Sequence, residues 1–145
     1  MKNLEARRGA ILNRFTLECG KYLPGDGWLG ILERLIKTLD ETEVHYDVAQ
    51  IKEKFGTLRF YTDIIPKPME QGEYSKAQYG WFHCAVRLAE FESSITCERC
   101  GNYGILRCGG WIRTLCDGCE NSYQKSKQGT SEFLKNQAPK NDTPL

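Results

Sequence analysis

The spacing of apolar side chains changes along this chain, and each change marks an element. From Asn3, a residue suited to an N-cap, Leu4, Ile11, Leu12, Phe15 and Cys19 recur at helical spacing until Gly20 interrupts them. The stretch from Lys21 to Gly27, with Pro24-Gly25-Asp26-Gly27, predicts a loop, and Asp26 is placed to cap the helix that follows. Trp28, Leu32, Leu35 and Leu39, with Leu29, Ile31 and Ile36 beside them, form a stripe wide enough to need a packing partner, which predicts a helix over 27–40.

After the acidic stretch from Asp40 to Glu43 the period shortens. Val44 to Phe55 and Thr57 to Thr62 are rich in β-branched and aromatic residues around Gly56, as in a β-hairpin. Alternation predicts that Ile51, Phe55, Leu58 and Phe60 face the helices while Lys52, Lys54, Arg59 and Tyr61 face away. Pro66 and Pro68 end the sheet segment. Ser75 with Gln78 fits a capping box, and Ala77, Trp81, Cys84, Ala85, Leu88, Phe91 and Ile95 then follow one helical face, expected to point into the core. His83, Arg87 and Glu90 on the other face read as a solvated stripe. Beyond Glu120 bulky apolar residues are sparse, so a short helix and then a flexible polar tail are expected.

Composition narrows the class. With 145 residues, 40% of them apolar, one domain with a real core is expected, and no apolar run approaches the length of about 20 that spans a bilayer. Net charge is +1, from 20 basic and 19 acidic side chains, so no global field would draw the protein to nucleic acid or an anionic membrane. Asn13 and Arg14 directly follow Ile11 and Leu12, leaving no signal-peptide core after Arg7 and Arg8, and the expected location is the cytoplasm.

The clearest chemistry lies in the cysteines. Of seven, four form Cys97-Glu-Arg-Cys100 and Cys116-Asp-Gly-Cys119, separated by fifteen residues, which is the spacing of a zinc ribbon. Each CxxC turn brings two sulfurs to one side of a metal, and the second pair must return to complete the tetrahedron. Strand-like Ile105 to Cys108 and Trp111 to Leu115, with Gly109-Gly110 as a tight turn, allow that return, and Gly101 eases the first knuckle. Four thiolates leave no open coordination position, so one structural Zn²⁺ is the expected cofactor. An odd cysteine count and the paired spacing speak against a disulfide scaffold, and neither pair opens a helix after a strand as in a redox CxxC motif. Cys108 reads as a bystander, and Cys19 and Cys84 as small buried hydrophobes.

These readings define an α+β fold: helices packed with a β-hairpin over 1–96, a small four-cysteine zinc ribbon over 97–119, and a polar tail over 120–145. Gln50-Ile-Lys-Glu-Lys-Phe-Gly-Thr-Leu-Arg-Phe-Tyr61, Cys97-Glu-Arg-Cys-Gly101 and Thr114-Leu-Cys116 resemble a family of small uncharacterised proteins encoded by phages and prophages, over roughly residues 19–119 and including Gly25 to Trp28. That resemblance implies a viral or prophage origin, a bacterial host cell and a host protein as partner, and it supplies no catalytic residues.

Three functions follow as expectations. The first is a non-enzymatic binding protein, for example one directed at a defence or transcription component. Lys52, Lys54, Arg59 and Tyr61 are then a contact surface and Trp111 an anchor. The second is nucleic-acid binding, with the basic hairpin face on phosphates, Tyr61 stacked on a base, and Arg107 or Arg113 adding contacts. A zinc ion in four thiolates carries about −2, however, so the ribbon segment nets about −1 despite its arginines. The third is a nuclease using His45, Asp47 and Glu53, or a nucleotide-binding sponge.

Overall fold

The computed structural model describes residues 3–17 and 22–137, with side chains as far as residue 130. The first helix, α1, is Leu4–Arg14, and its N-terminus is capped by Asn3, whose Oδ1 accepts from the Glu5 amide at 3.0 Å. It stops short of the expected Gly20 because Phe15 is extended and the chain then joins the sheet: Thr16 N–H donates to Asp47 and Leu17 N–H to the Val48 carbonyl. Phe15 and Leu17 reach the core from this extended segment. Cys19 lies outside the described residues.

A single 3₁₀ turn, Asp26–Trp28, leads into α2, Leu29–Glu41. Asp26 does not cap it; its carboxylate takes Arg8 at 2.6 Å, and Arg8 also holds the carbonyls of Leu23 and Pro24. Bidentate pairs Arg7–Glu33 and Arg14–Asp40 tie α1 to α2. Both partners advance by seven residues from one pair to the next, so the two helices run in the same direction. The α2 stripe is buried as its spacing requires, with Trp28, Leu29, Leu32 and Leu39 fully enclosed.

Strand β1, Tyr46–Lys54, pairs antiparallel with β2, Thr57–Ile64. A bulge between Val48 and Gln50 switches parity, so Val48 and Ile51 both face the core although they are three residues apart. Ile51, Leu58 and Phe60 are buried as expected. Phe55 is not: Lys54 pairs with Thr57, which puts Phe55 and Gly56 in a two-residue turn with positive φ at both, and the Phe55 ring is 65% exposed.

Helix α3, Lys76–Ser93, begins with the expected capping box of Ser75 and Gln78. Its buried face differs from the expected one. Phe82, Ala85, Ala89 and Ser93 pack inward, whereas Trp81, Cys84, Leu88, Phe91 and Ile95 are exposed. The reason lies at the free edge of β2. Leu58 N–H donates to Ser93 Oγ at 2.8 Å and Phe60 N–H to Glu90 Oε1 at 3.3 Å, so α3 must turn its polar Glu90 and Ser93 toward the strand to satisfy that edge. Glu90 therefore belongs to the sheet contact, while His83 and Arg87 are exposed as expected.

The C-terminal part is a second two-stranded sheet, β3, Ile105–Arg107, against β4, Arg113–Leu115, followed by α4, Asp117–Gln137. The link between β3 and β4 is a five-residue loop, 108–112, rather than a two-residue turn, with Gly109 and Gly110 both at positive φ. At 21 residues α4 is longer than the short helix expected.

Candidate metal centre

Cys97 and Cys100 flank a knuckle whose turn closes through Gly101 N–H to the Cys97 carbonyl at 2.9 Å, with Gly101 at φ +80°. Contrary to the expectation that neither CxxC pair opens a helix after a strand, the second pair does: Cys116 follows β4 and directly precedes α4, and its Sγ accepts from the Cys119 amide at 3.4 Å, so this thiol occupies the place of a helix N-cap. The four expected ligands converge: all four Sγ atoms lie within 4.8 Å of one another, and Cys100 Sγ stands 3.6 Å from Cys116 Sγ. A tetrahedral metal with sulfur arms of about 2.3 Å requires edges of about 3.8 Å, so the set fits a single tetrahedral ion. Among the described residues no other group of histidines, cysteines and carboxylates is gathered in this way.

Ionisation differs among the sulfurs of the metal-free cluster. Burial opposes the thiolate of Cys97, but backbone N–H groups of Cys116, Cys100 and Arg99 outweigh it and bring this thiol down to about 7. Burial and the neighbouring sulfurs push Cys119 up to about 12. One ligand is thus poised for metal and another must be displaced from its proton by the ion.

The knuckle is built onto the body by backbone contact. A Cβ on Gly25 would lie 2.1 Å from the Glu98 carbonyl oxygen, and one on Gly27 the same distance from that of Cys97. Gly27 N–H donates to the Glu98 carbonyl at 2.9 Å, and the buried indole of Trp28 donates to the Thr96 carbonyl at 2.8 Å. At the other side Thr114 Oγ1 donates to the Gly56 carbonyl at 2.6 Å, which fastens the β1–β2 turn to β4. Glu98 is nearly enclosed and paired with Arg113 at 2.7 Å; burial pushes its carboxyl up against the pull of that guanidinium. Arg113 also lies over the Tyr123 ring at 5.1 Å, which joins α4 to the ribbon. Sequence reading missed these attachments. Their one visible signal is the Pro24-Gly25-Asp26-Gly27 run, two glycines close together directly ahead of a stripe that must be buried.

The remaining expected site residues separate into two places. Lys52, Lys54, Arg59 and Tyr61 share the outer face of the β1–β2 sheet, where Lys52 sits opposite Arg59 and its Nζ lies 4.9 Å from the centre of the Tyr61 ring. Trp111 instead stands on the β3–β4 loop, 68% exposed, and lines a groove of about 380 Å³ with Glu53, Lys54, Phe55, Gly110 and Ile112. His45, Asp47 and Glu53 do not meet: Glu53 is eight residues from His45 along an extended segment, or about 26 Å, and its carboxylate accepts from the Gly56 amide. Asp47 is occupied by the amides of Thr16 and Val48. No helix among the described residues is long and apolar enough to cross a membrane.

Fold and site together define an α+β protein with four cysteines poised to bind a single metal ion. Among known proteins, no family model, no curated protein and no solved structure matches the chain.

Proposed function

We propose that this chain is a non-enzymatic, zinc-stabilised binding protein of phage or prophage origin, which docks on a protein of the bacterial host in the cytoplasm and alters its activity. The observation that carries this reading is the pairing of a closed metal centre with an exposed aromatic groove. Four thiolates fill a tetrahedral ion and leave no place for water or substrate, so the metal's work is structural, and an all-thiolate tetrahedron suits zinc, with iron its rival for the same ligands. The hydrogen bond from Thr114 Oγ1 to the Gly56 carbonyl fastens β4 to the β1–β2 turn, and there Phe55 and Trp111 stand exposed around one groove. Aromatic side chains on rigid turns are the anchors on which protein interfaces concentrate their energy. The groove suits a partner segment bearing a bulky apolar side chain, with Glu53 and Lys54 at its rim for polar contacts.

The test is recovery of tagged protein from host lysate with bound metal quantified on the same sample. One zinc per chain and one host protein in stoichiometric, nuclease-insensitive amount, lost in Trp111→Ala, is the expected result. Iron in place of zinc, or recovery that Trp111→Ala leaves unchanged, overturns it.

A second reading has its own observation. Lys52 directly opposite Arg59 is a like-charge cross-strand pair that a bridging anion would stabilise further than the contacts the two cations now make, Arg59 with Thr57 Oγ1 and the Leu58 carbonyl and Lys52 with the Tyr61 ring, and Tyr61 offers a ring for stacking. Single-stranded nucleic acid would bind there with steep salt dependence, weakened by Arg59→Ala and by Tyr61→Ala. Salt-independent or absent binding removes this alternative.

A further inference from the structure

The exposed stripe of α3 has the spacing of a helix-pairing seam. Ala77, Trp81, Cys84, Leu88, Phe91 and Ile95 follow one another by steps of four, three, four, three and four residues, which is the a/d pattern of a heptad repeat. A helix that only packs on its own domain needs one apolar stripe, and α3 already has one in Phe82, Ala85 and Ala89. The second stripe points elsewhere: Trp81 is 57% exposed, Leu88 and Phe91 67% each, and Ile95, in the turn just past the helix, 44%. We propose that this seam is a dimer interface, on which α3 of a second copy of this chain packs in parallel and in register about a two-fold axis.

The size and charge of the face select that occupant. The exposed parts of Trp81, Leu88, Phe91 and Ile95 come to on the order of 450 Å² per copy, and the flanking residues of the helix carry the face toward the roughly 800 Å² per partner of a standard interface. In a parallel pair, the g position of one helix meets the e position five residues further along the other. With Trp81 at a, Arg87 falls at g and Glu92 at e, so each Arg87 meets the partner's Glu92 on both sides of the axis. An antiparallel pair would instead set Arg87 against Arg87. Glu92 already holds Arg34 of α2, and its second carboxylate oxygen remains for Arg87 from across the seam. The d position Cys84, exposed in one copy, would meet its own counterpart near the axis.

The test uses the full, metal-loaded chain in sedimentation and light scattering. Wild type is expected to be dimeric, and Leu88→Glu and Phe91→Glu each to weaken association more than about thirtyfold, with metal content and far-UV spectrum unchanged. Mild oxidation in a Cys108→Ser background is expected to give a covalent dimer that Cys84→Ser abolishes. A wild-type monomer at about 100 µM, an order-of-magnitude ceiling for a specific interface, overturns the proposal, as does a dimer indifferent to both glutamates. Dissociation by those glutamates without a Cys84 crosslink overturns the parallel register.

Discussion

Gly27 and Cys97 meet backbone to backbone, so closely that a Cβ on Gly27 would stand 2.1 Å from the carbonyl oxygen of the first metal ligand. All three clashing neighbours there, the Cys97 carbonyl oxygen, the Gly101 amide nitrogen 2.5 Å away and the Glu98 carbonyl carbon 2.8 Å away, are main-chain atoms of the knuckle that shapes the site. None of them can swing aside as a side chain would. Gly27→Ala is expected to lower stability by about 1–3 kcal/mol and to speed metal loss to a colorimetric chelator. Gly9→Ala is the control, since its Cβ meets nothing within 4 Å in the middle of α1 and should stabilise by about 0.5–1 kcal/mol. Equal metal retention in Gly27→Ala and wild type would show that the loop does not support the knuckle.

Much of this architecture was legible from residue spacing. The α2 stripe, the hairpin around Gly56 and the four ligands follow from periodicity and from paired CxxC turns, because local sequence alone dictates those patterns. The orientation of α3 was not, for a physical reason. It carries two apolar stripes, and the choice between them depends on the unpaired amides of Leu58 and Phe60, which lie some thirty residues earlier and attract Ser93 and Glu90. The end of α1 has the same character, since Phe15 keeps helical spacing from Ile11 yet is claimed by the start of β1. Phe55 reads as a core residue by alternation, and only the pairing of Lys54 with Thr57 reveals it as a turn.

Metal removal should act on the C-terminal third. Without the ion, α4 loses the anchor at Cys116 and Cys119, and an isolated helix of 21 residues with few apolar side chains is marginal in water. Chelation is expected to reduce helical circular dichroism by roughly the share of α4 while the α2 core persists. The pH dependence has a definite sign. Metal binds thiolates, so binding releases protons and affinity falls as pH falls. Above about 7 Cys97 is already ionised in the metal-free cluster; below it, one more proton must be displaced. The slope of log affinity against pH should therefore steepen by one as pH drops through about 7, which competition titration can read.

Asp47 gives a second, metal-independent pH effect. Hydrogen bonds from Thr16 hold its carboxyl below the usual carboxylate range. A depressed carboxyl contributes stability above its unfolded value of about 4 and loses it as pH falls through the folded value. Asp47→Asn should therefore narrow the stability difference between pH 6 and acid, measured on the same denaturation curves. An unchanged difference would mean that Asp47 does not tether the segment after α1.

Ser93 and Glu90 cap neighbouring amides of β2 but should not be equivalent. Leu58 is fully buried and Ser93 Oγ is the acceptor its amide uses, so Ser93→Ala leaves a buried donor unsatisfied at a cost of about 1–3 kcal/mol. Glu90→Gln keeps an oxygen for the Phe60 amide and should be nearly neutral. Hydrogen exchange separates them: the Leu58 amide should lose protection in Ser93→Ala, while the Phe60 amide keeps it in Glu90→Gln. Retained Leu58 protection would show that α3 does not seal the edge of β2.

Phe55 is the place where stability and binding should part. It holds φ +54° in a turn whose two central positions both need positive φ, a conformation that favours Asn-Gly and costs a bulky residue strain. Its ring stays 65% exposed, with Lys54 Nζ 5.5 Å from its centre, and the proposed function assigns the strain to what the ring offers outward beside Trp111. Phe55→Asn is therefore expected to stabilise the chain by about 0.5–1 kcal/mol and yet to weaken recovery of the host partner as strongly as Trp111→Ala. Thermal unfolding and the lysate pull-down, run on one preparation, read the two effects separately. A variant more stable and fully competent in binding would remove Phe55 from the contact surface. A variant less stable than wild type would mean that the aromatic ring, rather than the turn conformation, dominates at this position.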